Sequence, residues 1–187
     1  TLTVLLIVIF LFREGMDVFT QSPVEEGFAM AVNKNNSVKE ITSPQLKNIF
    51  DQNITNWSSL GGNNDSIILF RIDDISNYFT DAQLGDSLQN VPKCISSLVD
   101  SISGIIAFVP EKYLDKNFTG HKLPMKNISV SSFLSGKEWF PTAQPAAQLG
   151  VLPLILGTLW VSLGAILIAL PLGLATAIFM AEIASEK

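Results

Sequence analysis

Charged residues are missing from one long part of this chain. Residues 139–181 contain no Asp, Glu, Lys or Arg, and residues 149–180 are almost continuously apolar. An apolar run of about 18 residues or more can cross a bilayer as a helix, because a helix satisfies its own backbone hydrogen bonds where water cannot. The absence of charge therefore predicts that this segment anchors the chain in a membrane.

Cysteine and histidine are almost absent. Cys94 is the only cysteine and His121 the only histidine among 187 residues. A single cysteine excludes an intramolecular disulfide and a multi-cysteine metal site, and its simplest interpretation is a small buried thiol. His121 has no acidic or cysteine partner close to it in the sequence, so we expect neither a metal nor a cofactor.

Catalytic and nucleotide-binding motifs are also lacking. No Ser-His-Asp, Gly-x-Ser-x-Gly or Walker pattern is present, so we expect no catalytic residues and predict that the chain is not an enzyme. A net charge of −5 without a basic run argues against nucleic acid as a partner. The adjacent carboxylates Asp73 and Asp74 are more typical of a solvated loop than of a cation site.

The charges that are present divide the chain into four parts. All but three of them lie between Arg13 and Glu138. We expect the end of a first transmembrane helix and a turn, then a water-soluble domain, an interfacial junction and a second transmembrane helix, in residues 1–19, 20–128, 129–148 and 149–187. The soluble part has the common size of one domain, roughly 100 residues.

The first apolar run allows two interpretations. Residues 1–12 would form about 18 Å of helix, which is short of a bilayer's hydrocarbon core of roughly 30 Å. The run is either a truncated membrane span or a signal-peptide core, and the absence of a small-residue cleavage site after Arg13 favours the truncated span. Because the chain also begins without Met, it resembles a fragment of a longer protein.

The soluble part alternates strand-like and helix-like patterns. Buried strands are predicted at 27–32, 66–70 and 104–109, and helices at 81–88, at 95–102 and from Ser43 onward. Ser43 is the expected N-cap, with Pro44 at the first helical position. This alternation predicts an α/β lobe, in which Trp57 is expected to fill the core. A short interfacial helix is predicted at 132–139, with Trp139 at the membrane surface.

Small residues recur at fixed spacings in the C-terminal apolar segment. The spacing is four or seven residues, and the residues concerned are Gly157, Gly164, Ala165, Ala169, Gly173 and Ala177. Such a stripe lets helices approach closely in lipid, so we predict helix packing here; the alternative is that Gly and Ala are simply common in membrane helices. Pro171 is expected to kink this helix or to end its straight part.

Three blocks near the chain ends resemble one membrane-protein family. FREGMDVF at 12–19, FLSGKEWFPT at 133–142 and the segment 150–184 resemble, in order and composition, the PstC-type permease subunit of phosphate ABC transporters. The resemblance implies a multi-pass protein of the bacterial inner membrane, surrounded by lipid, that helps to import phosphate. It also implies three protein partners: a second permease subunit, a cytoplasmic ATPase subunit and a soluble phosphate-binding protein.

The middle of the chain resembles a second family. Residues 32–62 and 103–114 are similar to the phosphate-binding protein of the same transport system, PstS-like and of the periplasmic-binding-protein class. The resemblance implies an α/β lobe on the extracytoplasmic side, inserted between membrane helices. That family carries Arg-x-x-Gly-Ser-Gly-Thr after the strand at 66–70, and here Arg71 and a nearby serine, Ser76, remain as candidate anion contacts.

The glycines of this phosphate loop are absent here, and two carboxylates, Asp73 and Asp74, lie where an anion would approach. Negative charge repels an approaching anion. We therefore expect the lobe to assist docking or gating rather than to bind phosphate in the family's usual mode. The alternative is a membrane-tethered module that binds or senses a small anion itself.

Overall fold

The protein is described by a computed structural model that covers residues 2–16, 19–20, 22–115 and 118–182. It forms two compact units. The first comprises Thr1–Ser129 with Phe140–Gln148, and the second Val130–Trp139 with Leu149–Lys187. The first unit therefore contains the predicted lobe, and it also takes in ten residues of the predicted junction, 129 and 140–148.

The N-terminal helix α1 covers Leu2–Met16. Its large side chains from Val4 to Phe12 are exposed, by 53% at Ile7 and 71% at Phe12. A helix of this length reaches about 22 Å, which is less than the roughly 30 Å of a hydrocarbon core. The structure therefore agrees with an apolar helix over residues 2–12 of the predicted run, whereas residue 1 and residues 17 and 18 of the predicted turn lie outside the described part.

A four-stranded mixed sheet organises the lobe, with β1 (Phe28–Val32), β2 (Ile68–Arg71), β3 (Ile105–Pro110) and β4 (His121–Lys122) in the order β2-β3-β1-β4. β3 runs parallel to β2 and antiparallel to β1, and β4 pairs antiparallel with β1. The three predicted strands are confirmed with small shifts of their ends. β4 was not predicted, because two residues give too short a pattern to recognise.

Helices pack on the sheet with bounds that differ from those predicted. α2 covers Ser43–Phe50, and its N-cap is Thr42 rather than Ser43: the Thr42 N–H donates to Gln45 Oε1 at 2.8 Å. α3 is a single turn, Asp81–Leu84, because Gly85 follows with a φ of 81°. α4 runs over Val91–Ser101, which is longer than predicted at its start, because Pro92 in its first turn needs no N–H partner.

Alternate residues of β1 and β3 face two separate apolar clusters. Met30, Val32 and Ile106 belong to a cluster that also contains α2 residues and Trp57. Ala31 and Ala107 belong to a second cluster with residues of α4. Because successive strand side chains point to opposite faces, a sheet covered on both faces reads as a continuous apolar run. The predicted α/β class of the lobe is thereby confirmed.

Trp57 fills the first cluster as predicted, with 1% of its surface exposed. It begins a 3-10 helix, Trp57–Leu60, and its indole Nε1–H donates to the carbonyl of Gly104 at 2.8 Å. Position 104 requires a glycine, because a Cβ there would lie 2.0 Å from the carbonyl oxygen of Ser66. By contrast, Cys94 is half-buried rather than buried, and it packs against the second apolar cluster.

The segment 140–148 returns to the lobe. Ala146 is 2% exposed within the first cluster, and it forms an antiparallel bridge with Val24. Gln148 is also buried, and its Nε2–H donates to the carbonyl of Ser43 at 3.1 Å. Two short strands flank this segment, β5 (Trp139–Phe140) and β6 (Gln148–Leu149), and they form a second sheet.

The second unit consists of a short helix and a long one. α5 covers Val130–Ser135 and α6 covers Leu152–Glu182. The interfacial helix predicted at 132–139 therefore begins two residues earlier and ends sooner, because Gly136 follows and Trp139 lies in β5. Among the described residues, α6 is the one helix that is long and apolar enough to cross a membrane.

Candidate functional site

The carboxyl end of β2 carries the candidate anion contacts. β2 is the edge strand of the sheet and ends at Arg71, and residues Ile72–Asn77 then form a 3-10 helix. Asp73 and Asp74 occupy the first turn of this helix. The chain turns here without a glycine, so it cannot form the loop of successive open amides that a glycine-rich sequence gives at such a position.

The guanidinium of Arg71 is already paired. Its Nε–H donates to Asp74 Oδ2 at 3.0 Å, and its Nη2–H donates to Asp74 Oδ1 at 3.3 Å. The hydrogen bond and charge of Asp74 raise the pKa of Arg71, with a smaller contribution in the same direction from Asp73. Two parallel N–H donors on one carboxylate are the geometry with which arginine binds an external anion. Asp74 thus occupies the position that such an anion would need.

An open pocket of about 530 Å³ lies beside this ion pair. Its walls come from β2 and the end of α2, and the residues that line it are Ile49, Phe50, Gln52, Ile54, Thr55, Ile67, Leu69, Arg71 and Asp74. Five of these nine are aliphatic or aromatic, and the charged pair contributes one cation and one anion. A pocket with this lining offers no net positive charge to a phosphate ion.

Ser76, the second candidate anion contact, does not line this pocket. It lies on the 3-10 helix after Arg71, and its side chain is exposed to solvent. The structure therefore brings Arg71 to the pocket without bringing Ser76 there. Anion binding by these two residues stays a prediction.

Metal-ligand clusters are not found in the described ranges: no group of three His, Cys, Asp or Glu side chains converges there. His121 lies in β4, with its Nε2 3.5 Å from the carbonyl oxygen of Val38. The polar group nearest to this ring nitrogen is thus a backbone carbonyl and not a second metal-binding side chain.

The predicted packing stripe lies along α6. A Cβ added to Gly157, Gly164 or Gly173 would meet nothing within 4 Å, and the alanines of the stripe are exposed. The helix continues through Pro171, and the expected kink there stays a prediction. Proline has no N–H, and the carbonyl of Leu167 therefore loses its usual partner. Packing of the stripe against other helices stays a prediction.

One buried polar residue of the lobe was not recognised in the sequence. Asn33 follows β1 and is 2% exposed. Its Nδ2–H groups donate to the carbonyls of Val99 and Asp100, at 2.8 and 3.1 Å, and its Oδ1 accepts from the N–H of Asn35. In the sequence, Asn33 has the character of a polar turn residue. The only sign that its side chain is buried is its position directly after a buried strand.

Comparison with known proteins concerns mainly the lobe. A family model described as the PBP (periplasmic-binding-protein) superfamily domain matches residues 13–135. The phosphate-binding protein PstS of Bacillus subtilis (strain 168) is 31% identical over 123 residues, which cover 57% of this chain and 41% of that protein. The chain thus spans about two fifths of the length of this curated relative.

Two solved structures are similar over a comparable part. One is described as a phosphate ABC transporter substrate-binding protein of Clostridium perfringens with bound phosphate, at 26% identity, over 58% of this chain and 49% of that one. The other is an ABC-type phosphate transport receptor of Vibrio cholerae, at 20% identity, over 62% and 52%. Both TM-scores are 0.41.

The predicted resemblance of the central lobe to phosphate-binding proteins is confirmed by the Bacillus subtilis relative. The description of that relative as a binding protein is consistent with the prediction that the chain is not an enzyme. The matched family domain ends at residue 135, before α6. The PstC-type resemblance of residues 150–184 and the multi-pass location are not addressed by these matches.

Proposed function

We propose that this chain, which belongs to the PBP superfamily through its domain at residues 13–135, is part of the membrane-spanning permease subunit of an ATP-driven phosphate importer. In this proposal α6 crosses the inner membrane together with further helices, and the lobe lies on the extracytoplasmic side. A second permease subunit and a cytoplasmic ATPase subunit complete the importer. ATP hydrolysis belongs to the ATPase subunit, since this sequence carries no nucleotide motif.

The observation that carries the proposal is α6. It is a continuous helix of 31 residues with no charged side chain before Glu182. Its large apolar side chains are exposed on every side, for example by 71% at Trp160 and 67% at Ile168. Water would make such exposure costly, at about 25 cal/mol per Å² of apolar surface. A helix that is apolar all round fits a lipid environment.

The role proposed for the lobe is to assist docking or gating of a soluble phosphate-binding protein. The support comes from the Arg71–Asp74 pair, since a guanidinium that already binds a carboxylate in two places must lose that partner before it can bind phosphate. The glycine-free turn after β2 also lacks the open backbone amides that could bind phosphate in place of the guanidinium. Both features disfavour anion capture at the end of β2.

A second candidate function is favoured by the relatives, which are described as phosphate-binding proteins. In that case the lobe itself captures a small anion while α6 tethers it. Isothermal titration calorimetry of the whole chain in detergent micelles with inorganic phosphate separates the two functions. The docking role predicts no heat of binding at micromolar phosphate. Micromolar binding that is lost in Arg71→Ala would establish the second function instead.

A matched pair of variants sharpens this titration. Asp74→Asn removes the internal carboxylate and leaves the guanidinium of Arg71 free, so weak phosphate binding is expected to emerge. Asp51→Asn removes a carboxylate that pairs with Lys47 at 2.9 Å elsewhere on the surface, and no binding should emerge there. If Asp74→Asn behaves like Asp51→Asn, the internal carboxylate is not what excludes the anion.

The permease role is tested through the packing stripe. Ala169→Leu with Gly173→Leu fills the proposed contact face of α6, and this double variant should fail to co-purify with the second permease subunit and the ATPase subunit. Leu167→Phe adds bulk about 200° around the helix from Ala169 and serves as the control. Normal assembly and phosphate uptake by the double variant would refute helix packing through this stripe.

A further inference from the structure

The second unit contains a backbone clamp between the end of α5 and the start of α6. The Val151 N–H donates to the carbonyl of Phe133 at 2.9 Å, and the Gly150 N–H donates to the carbonyl of Glu138 at 2.8 Å. The first hydrogen bonds of α6 then run from Leu154 and Ile155 to the carbonyl of Val151. The segment 130–139 therefore holds the residues at which α6 begins.

Two glycines permit this clamp. A Cβ on Gly150 would lie 2.3 Å from the carbonyl carbon of Gly136, and a Cβ on Gly136 would lie 2.6 Å from the Cα of Gly150. Both atoms are backbone and cannot move aside as a flexible side chain would. Backbone contact this close, together with the two hydrogen bonds, fixes the position of α5 relative to the first turn of α6.

An apolar surface faces outward from this clamp. Val130 and Leu134, one helical turn apart on α5, are 61% and 51% exposed, and Trp139 is 36% exposed. The ring of Phe133 lies edge-on to that of Trp139, with centroids 6.3 Å apart, and orients the indole. We name Val130, Leu134 and Trp139 the elbow surface. No described part of the second unit covers it.

We propose that the elbow surface docks on the phospholipid bilayer, with its side chains at the boundary between headgroups and hydrocarbon. This inference rests on the proposed membrane span of α6. Val151, the residue just before α6, hydrogen-bonds to Phe133 of α5, so wherever α6 enters the hydrocarbon, α5 is at the entry point. Six residues of helix reach only about 9 Å and cannot span the bilayer, so α5 lies at its surface.

The residue types of the elbow surface suit this position. Trp is enriched where membrane meets water, because its ring is apolar while its N–H seeks a polar partner. The opposite side of α5 carries serines, and the Ser135 hydroxyl donates to the carbonyl of Ser131 at 2.8 Å. A short helix with one apolar and one hydroxyl-bearing side is expected to lie flat at a lipid interface.

Depth-dependent fluorescence quenching tests the proposal with the whole chain. In a Cys94→Ser background, an environment-sensitive fluorophore is attached at Leu134→Cys, and the protein is reconstituted into vesicles of phosphatidylcholine and phosphatidylglycerol. Nitroxide quenchers are placed at the headgroup, near the ester carbonyls or near the chain ends. The label at 134 should be quenched several-fold more by the shallow nitroxides than by the deep one, with emission shifted to the blue.

Three further positions make the outcome decisive. Val130→Cys should repeat the result for 134, which guards against a local folding defect at one site. Ser135→Cys, turned about 100° from 134, should be quenched mainly by aqueous iodide. Leu167→Cys, in the middle of α6, should be quenched most by the deep nitroxide.

Failure of the inference can be distinguished from failure of the proposed function. If 167 is quenched by the deep nitroxide but 134 and 130 respond only to iodide, α6 spans the membrane and the elbow inference is wrong. If 134 and 130 are shielded from both lipid and iodide quenchers, protein covers the elbow surface, which also overturns the inference. If 167 itself is accessible to iodide, the proposed membrane span fails.

Discussion

Asn33 is the side chain whose removal gives the sharpest test of the lobe's structure. In Asn33→Ala the carbonyl of Val99, which is buried, loses its donor, and an unsatisfied buried acceptor costs about 1 to 3 kcal/mol. The carbonyl of Asp100 is partly solvated, so its lost bond costs the net value of about 0.5 to 1.5 kcal/mol. Asn35 is exposed, so its N–H can form a hydrogen bond with water instead. The free energy of unfolding should fall by about 1.5 to 4.5 kcal/mol.

Hydrogen–deuterium exchange of the β3 amides in the whole chain measures this change, because core strands exchange through the opening of the whole lobe. The expected loss corresponds to exchange that is faster by roughly 10-fold to 1,000-fold. Asn63→Ala is the matched control: Asn63 also donates one hydrogen bond to a backbone carbonyl and accepts one, but on the surface. The control should change stability by no more than about 0.5 kcal/mol.

Asn33→Asp completes the series, since it keeps the shape of the side chain but replaces two donors by an ionised acceptor. Facing two carbonyls, that carboxylate should destabilise the lobe at least as much as alanine does. The reasoning is refuted if Asn33→Ala and Asn33→Asp both exchange at the rate of Asn63→Ala. Such a result would mean that water replaces the amide at the end of α4 without cost.

Three further changes have defined outcomes. Gly104→Ala places a Cβ 2.0 Å from the Ser66 carbonyl oxygen, so β2 should separate from β3 and the lobe should lose about 1 to 3 kcal/mol or more in urea unfolding. Trp57→Phe removes the indole hydrogen bond and should cost at least about 0.5 to 1.5 kcal/mol by the same measurement. Gly150→Ala should open the clamp at the start of α6 and raise amide exchange there, whereas Gly157→Ala, with open space around it, should leave exchange unchanged.

Burial patterns made most of the lobe predictable. The continuous apolar runs that became β1 and β3 identify strands covered on both faces, and the helical spacing of Leu46 and Ile49 identifies α2. Helix ends were less predictable, because they depend on single capping bonds. Thr42 and Ser43 are both good N-caps by type, and the bond between Thr42 and Gln45 decides between them.

Long-range contacts explain what the sequence could not predict. Ala146 and Gln148 lie more than a hundred residues from Ser43 in the chain, so no local pattern links them to the lobe. The pairing of Arg71 with both carboxylate oxygens of Asp74 is visible only in the structure. The stripe on α6 is visible in the sequence, but no described residue lies within 4 Å of a Cβ added to its glycines.

Because the segment 140–148 packs against the lobe, the chain enters and leaves the lobe at neighbouring residues, Pro23 and Ala147. The carbonyl of Pro23 accepts from the N–H of Ala147, and the N–H of Glu25 donates to the carbonyl of Pro145. A domain closed in this way can be inserted into a loop of another protein without forcing apart the residues on either side. The closure also makes the lobe removable: joining residue 22 to residue 148 through a short linker deletes the lobe together with α5, and α1 and α6 should still be able to form helices.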